Sequence, residues 1–464
     1  GILARANASS ILFCSVVACR TYRFHFSNCV LAAAHMATED RLCHVFKCCS
    51  SDFVELMSTI GPVRNPDDAA TLICSSRRIN SDAVLPVITG ALQAVSPCDI
   101  EALFSSIIRW ATEALADDGA SAFPKSVTPW VKGAGPAKVK YTAAQCRGLL
   151  ANALLLNVAD TCEEYGGLDL EALLRNSENP CAVEKVACLL QYFETHRTTE
   201  STPDDTREIV FEKRVASREI TEVCSATEQK ISAFEQDGFI ELHSSGMEAP
   251  DIADAFVDFA NQAYGYGQII AHCSQEEIMQ VCCPEFNIGM LYQGEMADDE
   301  IVIVHAACRY SQYTGYGDSF EFAGAWEGPP RIQSILVMDA TICDQFREDI
   351  VLRDIRKAFL CFMGCRVVST GHWGCGIFGG LPAFKFVQQA LAASLAGCKL
   401  QYSTFGSPDG CDQILKDLEE LKPTPAQLLQ ALLAASAACL GKPAERLKLF
   451  PRVFAHNLKK VLDQ

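Results

Sequence analysis

Positive charge is scarce in this chain of 464 residues: Lys and Arg number 39 against 57 Asp and Glu, for a formal net charge of −18. No cluster of Lys or Arg offsets that balance. The electrostatic footprint of a nucleic-acid binder is missing, and direct DNA binding is not expected. A polyanionic ligand would have to be held by backbone donors and helix ends. Long apolar runs are also missing: none reaches the about 18 residues that a membrane-spanning helix needs. Cysteine is abundant, at 24 residues, yet no two are spaced Cys-x-x-Cys, which excludes paired zinc knuckles. Several stand in apolar surroundings, such as Cys188 in VACLLQYF and Cys439 in AASAACL. That is the setting of free buried thiols in a reducing compartment. The dinucleotide fingerprint G-x-G-x-x-G is broken, because Gly265-Tyr266-Gly267 runs on to Ile270 where the third glycine belongs. A nicotinamide-dependent oxidoreductase is disfavoured on that ground.

With 49 % hydrophobic residues, the chain is long enough for two or more domains around large cores. Residues 1–38 hold no Asp or Glu but include Arg5, Arg20, Arg23 and several serines. This is the composition of an organelle-targeting segment. The other reading is a helical extension or upstream translated sequence, with Met36 as a start. Residues 39–140 read as mixed and helical, with turns at Gly61-Pro62 and Asn65-Pro66. The stretch 125–140, rich in Pro, Gly and Lys, reads as an exposed loop. Amphipathic helices are expected over 142–158, 168–175 and 182–194. The polar TTESTPDDT at 198–206 marks a domain boundary.

From residue 207 short β-type runs alternate with helices. Strands are expected at 208–215, 238–243, 255–259, 300–306, 334–339, 366–370 and 399–405. Helices are expected at 275–281, 343–361, 381–396, 412–421 and 425–438. The alternation indicates an α/β sheet domain, whose ligands bind in loops beyond the strand C-termini. One stretch organises the rest. The apolar run 255–259 carries Asp258 and leads to Asn261, then to the glycine loop with Gly265 and Gly267, then to Gln275, Glu276 and Glu277 where a helix starts. Strand, glycine loop and helix start together present backbone N–H groups to phosphate. Taken alone, the glycines also fit a tight turn, and the glutamates fit a solvated first helical turn.

The wider pattern adds to this. VDFAN, then G-x-G, then QEE is followed in order by Tyr313-Thr314-Gly315-Tyr316. Next come TGHWGCGIFGG over 370–380 and Ser403-Thr404-Phe405-Gly406, and AQCRGLLANAL lies upstream at 144–154. This set resembles the poly(ADP-ribose) glycohydrolases, from about residue 85 to the C-terminus. The resemblance implies an α/β macrodomain-like fold, a three-layer mixed sheet with helices on both faces, preceded by a helical accessory domain. It divides the chain into an extension without assigned role (1–80), the accessory domain (81–200) and the catalytic domain (201–464).

The activity implied is hydrolysis of ribose–ribose O-glycosidic bonds in poly(ADP-ribose), releasing ADP-ribose. Such a reaction needs a proton for the leaving oxygen and stabilisation of an oxocarbenium-like centre. Adjacent glutamates on a helix diverge by about 100°, so they cannot both face one atom. The resemblance makes Glu277 the acid/base and puts Glu276 on the neighbouring ribose. It makes Asp258 the third catalytic carboxylate, read here as orienting the loop and the glutamates. Asn261 and Gln275 fall at ribose-side positions, Met247 and Glu248 at the adenine edge, and Phe405 under the adenine ring. Tyr316 falls over the phosphates. His372, Trp373, Gly374, Cys375, Gly376, Ile377 and Phe378 form the loop around the diphosphate and distal ribose.

No cofactor or metal is implied. The implied partners are poly(ADP-ribose), ADP-ribose and poly(ADP-ribosyl)ated proteins, met by a monomer in the nucleus or cytoplasm during poly(ADP-ribose) catabolism and the DNA damage response. Two positions depart from the family pattern. Tyr266 replaces the middle of three glycines, which costs roughly 1–2 kcal/mol if that position needs a left-handed backbone. His372 stands where Asn is usual. An alternative reading is therefore a catalytically weak or inactive ADP-ribose-binding macrodomain.

Overall fold

Eight strands make up the main sheet: β1 (Ala137–Thr142), β2 (Glu208–Val215), β3 (Ile240–His243), β4 (Ala255–Ala260), β5 (Glu300–Cys308), β6 (Ile332–Asp339), β7 (Val367–Gly371) and β8 (Lys399–Ser403). The computed structural model describes residues 42–463 apart from 78, 96, 160–167, 199–202, 227–231, 250–251 and 266–272. The targeting expectation for residues 1–38 and the expectations for Tyr266 and Gly267 fall outside the described residues. The spatial order of the strands is β1-β2-β5-β6-β4-β7-β8-β3. Pairing is antiparallel from β1 to β6. It is parallel from β6 through β4, β7 and β8 to β3. The C-terminal ends of β4, β7 and β8 therefore lie side by side, where a ligand site was expected.

Alternation of apolar residues along the strands builds two cores. Phe256, Val302, Val304, Ile335 and Val337 face one core. Val257, Ile301, Ile303, Leu336 and Met338, their sequence neighbours, face the other. Burial on both faces gives the period of two an apolar residue at every step, the pattern of a central strand in a helix-covered sheet. The first core is roofed by helices that include α1 (Ala143–Leu154), α2 (Pro180–Thr198) and α3 (Gln275–Cys282). The second is covered by helices that include α4 (Glu348–Phe362) and α5 (Pro382–Ala396). This is the three-layer mixed α/β architecture expected from the motifs.

Some expectations change. The stretch 125–140 is not all loop, since Ala137–Thr142 pairs antiparallel with β2 as the edge of the sheet. Lys138 and Lys140 point outward there, facing Glu212 and Glu208, and charge of this kind protects an edge strand. A hairpin of Ser311–Thr314 and Glu321–Ala325 was not foreseen. The helix expected from 343 begins at Glu348. Phe53, Leu72 and Ile73 share a core with Leu103, Leu149 and Phe211, so the boundary near residue 80 has no counterpart in the packing.

Beneath the loop that follows β7 lies a buried ionic network. Lys385 pairs with Asp354, and both side chains are fully buried. Arg353 bonds Asp354 at 2.8 Å and Asp298 at 2.8 Å, and also meets Asp339, which Lys357 meets in turn. The Lys385 ammonium lies 4.8 Å from the centre of the Trp373 ring. Removing one partner of such a pair leaves a buried charge short of compensation. Lys385→Met is expected to cost about 3 kcal/mol of stability, read as a lower urea midpoint with an unchanged slope.

Candidate active site

Toward the end of β4 the sheet keeps a strand partner, β6, on one side only. β7 pairs with β4 only at Ala255 and Phe256. Further along, the Gln275 side chain bonds the β4 backbone instead. It accepts from the Phe259 N–H at 2.7 Å and donates to the Val257 carbonyl at 3.0 Å. Glu276 adds a third bond, its carboxylate accepting from the Asn261 N–H at 2.9 Å. The first turn of α3 is thus fastened to the strand by its own side chains. Glu277 turns back instead, accepting from the Ser274 N–H at 2.7 Å and from the Ser274 hydroxyl in a capping box. The two glutamates diverge, as helix geometry requires.

Asp258, Glu276 and Glu277 are all buried. Neither carboxylate oxygen of Asp258 has a hydrogen-bond partner among the described residues. Asp258 therefore makes no hydrogen bond to Glu276 or Glu277, and it bears on them by being buried beside them. Burial, then the charge of Glu277, pushes the Asp258 carboxyl well above the usual range. Burial, then Asp258 and Glu277, does the same to Glu276, against the pull of the Asn261 N–H and Lys185. Carboxyls kept out of water near one another retain protons, and this is how proteins make a general acid.

Around the carboxyls stand the remaining expected residues. Gly265 has φ of +71°, and an added Cβ would overlap the Met290 side chain, so only glycine fits that turn. Asn261 accepts from the Ala263 N–H at 3.0 Å, shaping the same turn. Tyr316 and Phe405 are exposed, with ring centres 6.0 Å apart and planes at 62°. Phe405 holds a left-handed backbone, φ +50°, and its N–H donates to the Ser403 hydroxyl at 3.3 Å. Two large aromatic rings left in solvent at strand ends form an open pair of apolar surfaces for a planar ligand. Glu248 accepts from the Tyr313 hydroxyl at 3.0 Å, and Arg331 donates to its carbonyl oxygen.

The glycine loop after β7 folds on itself, with the Gly380 N–H donating to the Gly374 carbonyl at 2.9 Å. Gly374 has φ of +71°, and a Cβ there would strike Ala340. Gly376 and Ile377 are exposed, Phe378 and Cys375 half-buried. His372 is half-buried and its Nε2 has no hydrogen-bond partner among the described residues. Met247 and Trp373 depart from expectation, because both side chains lie in the second core. Trp373 donates its indole N–H to the Met338 carbonyl at 3.0 Å. Only their backbones are left to meet a ligand. Two positions that support the site residues escaped sequence reading: Tyr313, which stands in a quoted motif and bonds Glu248, and Lys385, a lysine inside the apolar run PAFKFVQQALAA that lies against Trp373. No described group of three or more His, Cys, Asp or Glu is placed to hold a metal ion.

Residues 222–411 match a family model described as poly(ADP-ribose) glycohydrolase (PARG), macro domain fold. That segment contains β3 to β8, the carboxyl cluster and the glycine loop. The chain is 27 % identical over 345 residues to poly(ADP-ribose) glycohydrolase 1 of Arabidopsis thaliana, covering 56 % of this chain and 61 % of that protein. It is 31 % identical over 195 residues to poly(ADP-ribose) glycohydrolase 1 of Caenorhabditis elegans, covering 36 % and 25 %. With the probable poly(ADP-ribose) glycohydrolase 2 of Arabidopsis thaliana it shares 29 % over 222 residues, covering 36 % and 42 %. The chain thus spans less than two thirds of the length of each. The resemblance carried by the motifs holds over this segment, and so does the macrodomain fold.

The unpaired Asp258 has a thermodynamic consequence. A carboxyl whose folded pKa exceeds its unfolded value of roughly 4 binds more protons folded than unfolded between those two values. Its contribution to stability is therefore best at acidic pH and falls as pH rises through that window. Asp258→Asn is expected to flatten this decline and to be more stable than the parent at neutral pH by about 1–3 kcal/mol. Urea unfolding at mildly acidic and neutral pH checks both points.

Proposed function

We propose that this protein hydrolyses ribose–ribose O-glycosidic bonds in poly(ADP-ribose) and releases ADP-ribose. The observation that carries this reading is the convergence of three buried carboxyls, Asp258, Glu276 and Glu277, below a glycine loop and an exposed aromatic pair. The motif order and the family likeness over residues 222–411 support it. No described helix is long and apolar enough to cross a membrane, and the ligand surfaces open to solvent.

In this reading the adenine ring lies against Phe405, with Tyr316 closing from the other side over the phosphates. Glu248 accepts from the exocyclic amine, its carboxylate held by Tyr313. The diphosphate and distal ribose lie along the loop of His372 to Phe378, against its backbone N–H groups. Asn261 and the Gln275–Glu276 turn border the ribose beside the scissile bond. Glu277 gives its proton to the leaving ribose oxygen as the bond to the anomeric carbon breaks. The buried carboxyls of Asp258 and Glu276 lie beside the developing oxocarbenium centre and offer it their oxygen lone pairs. Water then attacks the anomeric carbon and returns a proton to Glu277, so the carboxyl is restored. The protein acts as a monomer on polymer carried by poly(ADP-ribosyl)ated proteins, without direct DNA contact.

The test is release of ADP-ribose from poly(ADP-ribose) by the purified chain beside Glu277→Gln. Turnover by the parent and a loss of roughly 10²- to 10⁴-fold in the variant, with folding retained, is the expected result. Binding of ADP-ribose by calorimetry without turnover in the parent would make the protein a reader of the same ligand instead. Phe405→Ala should raise KM or Kd by about 10-fold with little change in kcat, the loss of one stacked ring.

A further inference from the structure

Lys185 lies on α2, outside every motif, and is 1 % exposed. A lysine is almost never buried so fully without negative charge nearby. Its helix gives the reason. Cys181, Lys185 and Cys188 fall at i, i+4 and i+7, one stripe of α2. The Cys181 thiol donates to the Gly317 carbonyl at 3.4 Å, and the Gly317 N–H donates to the Cys273 carbonyl at 2.8 Å. That fixes one end of the stripe beside the start of α3. Cys188 lies beside Cys282, the last residue of α3. The stripe therefore runs alongside α3 from its first turn to its last, and Lys185 stands between the two anchors. It lines a cavity of about 30 Å³ with Leu150, Leu189, Gln280, Val281 and Asn287. Gln280 donates to the Glu276 carboxylate at 3.4 Å.

Among the described residues, the charged and titratable groups around this point come from α3, the segment before it, α2, β4 and the hairpin side. Glu276 and Glu277 face Lys185 from α3, and Cys273 from the residue pair preceding that helix's cap. Cys181 faces it from α2. Asp258 of β4 faces the two glutamates, and Tyr316 faces Glu277 from the hairpin side. Among the described residues, Glu276 and Glu277 meet the Lys185 ammonium, and Asp258 stands next to those two glutamates.

We infer that Lys185 is a positioning residue for catalysis: its ammonium, delivered by the helical layer, sets the proton affinity of the Asp258–Glu276–Glu277 cluster. The inference rests on the glycohydrolase reading for its kinetic form, but concerns a residue which that reading does not use. Without the cation the cluster holds its protons to higher pH, since a nearby positive charge favours the ionised carboxyl. A general acid must be protonated to act, so the alkaline limb of the pH profile follows the cluster.

The experiment compares pH profiles of kcat/KM for the parent, Lys185→Met and Lys185→Arg on poly(ADP-ribose). The alkaline limb should move up by about one pH unit in Lys185→Met and return toward the parent in Lys185→Arg. A limb that stays in place while activity or Tm falls would mean that Lys185 only fills space, and would overturn the inference. Lys185→Gln makes the same comparison if the methionine variant does not fold. Should the parent show no turnover at any pH, the glycohydrolase reading fails separately. The infrared band of protonated buried carboxyls is then followed against pH in the same proteins. A titration moved upward in the neutral variants supports the role of Lys185, and an unmoved one refutes it.

Discussion

Keeping Asp258, Glu276 and Glu277 out of water together is the constraint on which this structure turns. A buried carboxylate is unfavourable unless bonded or paired, and Asp258 has no hydrogen bond among the described residues. The surrounding fold has to hold such a group in place against its own preference. It does so from three directions. β4 is a central strand, paired to β6 along its whole length, so Asp258 has no freedom to move outward. The first turn of α3 is bonded to that strand by Gln275 and Glu276. The helical layer closes over α3 through the Cys181–Lys185–Cys188 stripe. Strain of this kind is ordinarily found where chemistry is done.

The glycine loop answers a different demand. It must be open to ligand yet fixed in shape, and it has little side-chain substance of its own. Its rigidity comes from below. Trp373 is driven into the second core, bonded to the Met338 carbonyl and covered by the Lys385 ammonium. Lys385 is held by Asp354, and Asp354 by Arg353. The loop is thereby anchored to β6, α4 and α5 through one aromatic side chain, leaving the backbone from Gly374 onward free to line a site. The two cores thus share the work: one supports the carboxyls, the other supports the loop.

Much of this was legible in the sequence. The strand expected at 255–259 shows as an apolar run broken by one acid, and the start of α3 shows as Gln275, Glu276 and Glu277 after a glycine loop. The parallel strand ends and their loops follow from alternation of strand and helix. Other features were hidden for physical reasons. β1 alternates Lys138, Val139, Lys140 and Tyr141, but the prolines and glycines before it mask the period. Trp373 looks like a ligand residue because it stands in a glycine loop, and only packing reveals that it is a peg in the core. Lys185 reads as an ordinary charge on an amphipathic helix. Its burial depends on α3, which lies about 90 residues further along the chain.

That last distance bears on why a helical layer accompanies the sheet. A macrodomain sheet can present phosphate-binding loops by itself, since β4, β7 and β8 already end together. What the sheet cannot supply is a counter-charge on the far side of α3, because the strands approach that helix from one face only. Beneath the loop, Lys385, Lys357 and Arg353 pair with Asp339, Asp354 or Asp298. The charge inferred for the carboxyl cluster comes from α2, which packs against α3 from the other side. On this argument the helical layer differs from a lid or a spacer. It completes the electrostatics of a site built from the sheet's strand ends and the first turn of α3.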